Sequence, residues 1–260
     1  MHTTPEFPDL LRLIDERSTA FLALVAAAPD LDVPVPTCPG WTLFDLAEHI
    51  GQGRQRWATI VAFGPSDERP AGTAPGDGAD APRDRDALQA WLADSVAELD
   101  TTLRDAGPDR GSWAWWDVSQ SPLTAGAVAR HQLQEVAVHT YDAQVALGAP
   151  QPIPDEAAVD GVEEFLSSCN ATTYAWPHEP ATLDYVSTEG PAWRLWLDGD
   201  GARFARLPDG GDSTDPATMT GRGSASEIVL TMYGRIPLET LEITGDRAVL
   251  DGLVEWVPGA

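Results

Sequence analysis

The run Glu135-Val136-Ala137-Val138-His139 places a carboxylate and an imidazole four positions apart. On a helix of 3.6 residues per turn the two are offset by about 40° around the axis, so both can address one atom. Leu133, Val136, Val138 and Val145 around them are apolar, which turns the pair toward a core where unpartnered polar groups are costly. A divalent cation satisfies both. His49 is a third candidate, because its helically spaced neighbours Leu46, Ile50 and Gly53 turn it inward. Two His and one carboxylate with open positions is the layout of catalytic zinc and also of non-haem iron(II). The competing reading is structural, with a satisfied Glu–His pair on one helix and a hydrogen-bonded core histidine on another.

Other groups are open to two readings each. His131, one turn before Glu135, is either a fourth ligand or close support for the ligands, or an exposed helix residue. Asp142, three residues after His139, either orients that imidazole or faces solvent. His2 and His178 lie in flexible-looking segments and read as solvated. Cys38 has no evident neighbouring base and reads as a packed small hydrophobe rather than a nucleophile. The sequence contains no glycine-rich phosphate loop, no serine nucleophile elbow and no Cys-x-x-Cys.

These side chains need rigid elements to hold them. Helical periodicity predicts helices over 8–27, 43–62, 84–105, 123–147 and 155–168. Thr42 is the expected N-cap of the second, with Asp45 as its capping-box partner. Residues 64–83, rich in Pro, Gly, Ala and Asp, read as an exposed, mobile loop. After Trp176 the pattern changes. LDYVS, WRLWLDGD and ARFARL read as strands with DGDG as a hairpin turn, 223–232 as a helix, LEITGD as a strand and turn, and the end as a short helix. The expected fold is therefore a helical bundle over 1–170 followed by a small α+β domain over 178–260.

Composition removes whole classes of function. The 260 residues hold 41 acidic against 16 basic groups, a net charge of −25, which opposes binding to nucleic acid or to an anionic membrane surface. Every basic residue is Arg, so Schiff-base lysine chemistry and a P-loop lysine are excluded. The two cysteines, the acidic N-terminal stretch and the lack of a long apolar run lead to the expectation of a cytoplasmic protein with reduced thiols. Most of the ten Trp are expected in cores or interfaces.

Several segments together resemble one family. Thr37-Cys38-Pro39-Gly40-Trp41-Thr42 followed by Leu46-x-x-His49 resembles the start of the second helix in the mycothiol-dependent maleylpyruvate isomerase family. Arg130-x4-Glu135-x3-His139-x2-Asp142, followed by Ala146-x-Gly148, resembles its fourth helix, and Asp160-Gly161-Val162-x-Glu164 its connector. The stretch from Ala217 to Asp246, with Leu230-Thr231-Met232-Tyr233-Gly234-Arg235 and Thr244-Gly245-Asp246, resembles its C-terminal domain. The resemblance covers nearly all of the chain except the loop 64–83.

It implies a DinB-like up-down four-helix bundle, and a C-terminal domain similar in fold to sterol carrier proteins that covers the site. It also implies metal ligation by His49, Glu135 and His139, with zinc as the ion in the isomerase. An Arg of the C-terminal domain is implied to act at the site, and Arg235 matches it best. The implied chemistry is a thiolate, from mycothiol as cosubstrate, adding to a small electrophile and leaving again after cis–trans isomerisation. Two alternatives stay open: a mycothiol S-transferase that keeps the adduct, and a metal- or ligand-binding module without turnover. The substrate, the choice of thiol and the oligomeric state are not legible.

Overall fold

The computed structural model describes residues 4–208 and 215–256; His2 lies outside them. Contacts divide the chain into two units. One holds 5–115 and 123–153, and the other holds 116–122 and the chain from 154 onward.

The first unit is four helices: α1 (Phe7–Ala27), α2 (Leu43–Phe63), α3 (Arg85–Ala106) and α4 (Ala125–Ala146). α1 packs mainly on α4, and α2 on α3. Each start is set locally. α1 has Pro8 in its first turn, where a missing N–H does no harm. At α2 the Thr42 hydroxyl accepts from the Asp45 N–H while the Asp45 carboxylate accepts from the Thr42 N–H, a full capping box. Asp84 caps α3 and Thr124 caps α4. Phe21, Val25, Leu43, Leu46, Ile50, Leu88, Leu92 and Val136 form the core between them. Gly51 of α2 is required there, because the Trp91 indole of α3 fills the space a Cβ would take. α4 is the central helix, buried on most of its faces, and it takes Gln132, Gln134, His139, Thr140 and Asp142 inside with it.

The second unit is built on a five-stranded mixed sheet: β1 (Ala181–Ser187), β2 (Ala192–Asp198), β3 (Gly201–Arg206), β4 (Met219–Gly223) and β5 (Glu242–Gly245). The spatial order is β3-β2-β1-β4-β5, with β1 and β4 parallel and the other pairs antiparallel. Its helices are α5 (Asp155–Phe165), α6 (Ala225–Met232) and α7 (Arg247–Glu255). Leu183, Trp193, Leu195, Met219, Ile228 and Val229 are its buried centre. No helix among the described residues is long and apolar enough to cross a membrane.

The sequence places α5 at the end of the helical domain, with the boundary after residue 170. The contacts group it with the sheet instead. The cause is visible in its partners: α5 packs on α6, and its Glu163 accepts a hydrogen bond from the Trp193 indole of β2 at 3.0 Å. The segment 116–122 joins the same unit, since the Gln120 side chain bonds the Phe204 backbone at both ends. α5 also stops at Phe165, and a single π turn, Leu166–Asn170, finishes it.

Candidate metal centre

α2 and α4 bring the three expected side chains together. His49 Nε2 lies 2.8 Å from Glu135 Oε1, and His139 Nε2 lies 3.8 Å from the same oxygen. One potential ligand atom from each residue falls within 4.8 Å of the other two. Two ligands about 2.0–2.1 Å from a tetrahedral zinc sit roughly 3.4 Å apart, and the observed 2.8 and 3.8 Å bracket that spacing. The side chains of His49 and Glu135 keep 30 and 27% exposure, whereas His139 keeps 9%. The cluster is thus closed around His139 and open beside His49 and Glu135.

Asp142 fixes which nitrogen of His139 is offered. Its carboxylate is fully buried and lies 2.7 Å from His139 Nδ1, so Nδ1 donates and Nε2 is the nitrogen left facing Glu135. The Cys38 thiol donates to the same carboxylate at 3.4 Å. Cys38 therefore does have titratable neighbours, which the sequence reading did not find. Cys38, His139 and Asp142 also cluster within 4.8 Å, but the Asp142 bond takes up the Nδ1 that such a set would need.

The electrostatics favour a cation here. Burial alone would raise the Glu135 carboxyl. The hydrogen bond from His49 and the charges of His139, His131 and His49 outweigh it and hold Glu135 well below the usual carboxylate range. Burial would lower His139, yet hydrogen bonds with Asp142 and Cys38 and the nearby carboxylate charges push it up to about 9. A positive charge is stabilised at this imidazole, and a bound metal would supply it in place of a proton. The donor set and the field both fit a divalent ion.

One feature escaped the sequence reading, and another was left between two readings. The first is Trp41, whose ring centroid is 4.9 Å from that of His49 and 6.3 Å from that of His139. A tight turn places it: Trp41 N–H bonds Cys38 C=O, with Pro39 and Gly40 in the middle and Gly40 at φ +85°. Pro then Gly with positive φ is the signature of a type II turn. The second is His131. Its ring is held edge-on by Trp57 at 5.5 Å and Trp115 at 5.9 Å, and it is not in the cluster of convergent ligand atoms.

Arg235 belongs to the sheet unit. It follows Gly234 at the end of α6, and its guanidinium donates to the Tyr233 carbonyl at 2.8 Å. His178, read as solvated, lies against Trp176 with ring centroids 4.8 Å apart.

Comparison with known proteins agrees with this architecture. The family described as mycothiol maleylpyruvate isomerase N-terminal domain matches residues 11–144, and the MDMPI C-terminal domain matches 156–252. Among solved structures, the mycothiol-dependent maleylpyruvate isomerase is 18% identical with a TM-score of 0.57, covering 92% of this chain and 93% of that one. A histidine-to-alanine mutant of that isomerase is 16% identical at 0.56, with the same coverage. At such identity these structures speak for the fold. No curated protein matches the sequence. With matches that run through both units and in the same order, the chain belongs to the mycothiol-dependent maleylpyruvate isomerase family.

Proposed function

We propose that the protein is a metal-dependent enzyme that uses a low-molecular-weight thiol, mycothiol in the family's case, to isomerise a small electrophilic substrate. The observation that carries this is the convergence of His49, Glu135 and His139 on one point with a solvent-facing side. Structural zinc is normally enclosed by four protein ligands, whereas three with an open position is the catalytic pattern. A divalent ion held there, zinc in this reading, supplies one thing: it keeps a coordinated thiol deprotonated near neutral pH.

The chain's own groups prepare that chemistry. Asp142 holds His139 in the tautomer that presents Nε2. Glu135 stays ionised. The Trp41 ring lies against both imidazoles and limits their freedom to turn. The reaction is addition followed by elimination. The thiolate sulfur adds to one carbon of a cis double bond conjugated to a carbonyl, and the electron pair moves to the carbonyl oxygen. The former double bond, now single, rotates. The enolate then collapses, re-forms the double bond as trans and expels the thiolate. Arg235 keeps in this reading the role that the resemblance implies, pairing with a substrate carboxylate.

Elemental analysis of purified protein tests the metal, and turnover tests the reaction. The wild type is expected to hold about one zinc per chain, and His49→Ala, Glu135→Ala and His139→Ala to lose it. With mycothiol and maleylpyruvate the wild type is expected to form fumarylpyruvate. A thioether that accumulates instead identifies an S-transferase. Full metal content in all three variants removes the centre altogether.

A further inference from the structure

Beside the ligand cluster the helical unit has a second cavity, of about 190 Å³. Trp57, Trp113 and Trp115 wall it, and Arg56 and Arg69 both line it, together with His131 and Glu135. With 41 acidic residues to 16 Arg, a surface guanidinium here readily finds a carboxylate: Arg12, Arg83, Arg104, Arg203 and Arg247 each do. Among the described residues Arg56 and Arg69 form no such pair. Arg69 stacks over the Trp113 ring at 4.8 Å and makes a long bond to the Thr73 carbonyl, 3.4 Å. Arg56 is half-buried; the charge of Glu135 favours its charged form and that of Arg69 opposes it. Two guanidiniums thus line one small aromatic cavity, with Glu135, already hydrogen-bonded to His49, as the carboxylate that shares it.

We infer that Arg56 and Arg69 form a carboxylate-binding subsite, and that the chamber takes a small, flat organic anion next to the ligand cluster. A guanidinium offers planar paired donors to a carboxylate, and the indole walls suit a conjugated or aromatic body. The volume equals that of about six waters, which admits a small acid and excludes a large one. Arg69, Thr73 and Pro75 come from the loop 64–83, which closes over lining residues from α2, α4 and the Trp113–Trp115 stretch. The inference rests on the proposed function for what happens to the anion next, but not for its binding.

Calorimetric titration of the full-length, zinc-loaded protein with benzoate, and with benzamide as its neutral counterpart, tests the subsite. The wild type is expected to bind benzoate and not benzamide. Arg56→Gln and Arg69→Gln should each weaken benzoate about tenfold or more, the loss of a hydrogen bond to a charged group, while Arg104→Gln, at an exposed ion pair outside the cavity lining, keeps the affinity. If the Gln variants melt early, Arg56→Lys and Arg69→Lys carry the test. Weaker binding at unchanged Tm supports the subsite, because Lys keeps the charge but not the fork, and unchanged binding overturns it. Equal binding of benzamide, no binding by the wild type, or an equal loss in Arg104→Gln also overturns it. A protein that holds no zinc yet binds benzoate through these arginines would retain the subsite and lose the metal centre.

Discussion

In the sheet unit, Arg194 of β2 faces Asp184 of β1 across one rung of the antiparallel ladder. The two side chains meet fork to fork, Nε to Oδ1 at 2.6 Å and Nη2 to Oδ2 at 2.7 Å, and a further bond runs from Nη2 to the Asp215 carbonyl. Both residues are buried, and each answers the other's charge and hydrogen bonds. In the helical unit, His49, Glu135 and His139 also cluster, but one ligand-capable atom from each turns toward a common spot that keeps a partly exposed side. The imidazoles serve the Glu135 carboxylate as hydrogen-bond donor and neighbouring charge, and a cation at the common spot would take that role. The first arrangement is closed and serves the fold. The second is open and is arranged for a guest. Both combine opposite charges, and the exposure of His49 and Glu135 separates the second from the buried strut.

The largest effect expected from this contrast is on stability. Asp184→Ala leaves the Arg194 guanidinium buried without its partner, which typically costs about 3–5 kcal/mol. Asp184→Leu with Arg194→Leu removes both charges at once and should come close to the wild type. Urea unfolding of the two variants reads the difference, and metal content should stay the same in both. A double variant as unstable as Asp184→Ala would mean that the pair is more than a self-contained strut.

On the helical side the matching experiment acts through the ligand's support. Asp142→Asn keeps the shape but weakens the bond to His139 Nδ1 and no longer fixes the tautomer. Loss of such a support typically lowers metal affinity about 10- to 100-fold. Competition against a chromophoric chelator measures this, and urea unfolding of the metal-free protein should show a far smaller change than Asp184→Ala. A variant with wild-type zinc affinity would show that Asp142 serves packing alone.

How much of this could be read from the sequence differs between the same two regions. The helices were legible because their starts carry local chemistry, such as Thr42 with Asp45, and because α1, α2 and α3 show one apolar face. The convergence of Glu135 and His139 was legible because i, i+4 spacing is itself geometry. β4 was not read as a strand. Met219-Thr220-Gly221-Arg222-Gly223 has two glycines and no run of β-formers, and it is a strand because β1 and β5 pair with it on either side. Trp41 was missed because its direction depends on the turn at Pro39-Gly40 rather than on a helical period. Arg69 was missed because the segment 64–83 looks featureless. The structure gives that loop no helix or strand but buries Pro70, Thr73 and Ala81, so the expected exposed loop is in part packed.

The smallest expected effect sharpens the comparison between two carboxylates that the protein holds low for different ends. Glu189 sits in the turn between β1 and β2. Burial raises its pKa, but donors outweigh that: the Ser187 hydroxyl, the Ala225 N–H in the first turn of α6, its own N–H and the Thr188 hydroxyl. Its folded pKa therefore lies below the unfolded value of about 4.3. Such a group stabilises the fold fully above the unfolded pKa and loses that contribution as pH falls through the folded one. Glu189→Gln should cost about 1 kcal/mol at pH 7, the usual worth of a hydrogen-bonded anchor. That gap should shrink steadily as the pH drops through the low fours and below. Urea titrations of both proteins across this range measure it. A gap independent of pH would mean that Glu189 anchors α6 by shape and not by charge. Glu135 is also held ionised, yet by imidazoles that a metal would engage alongside it, so its substitution should appear in metal content before it appears in the unfolding curve.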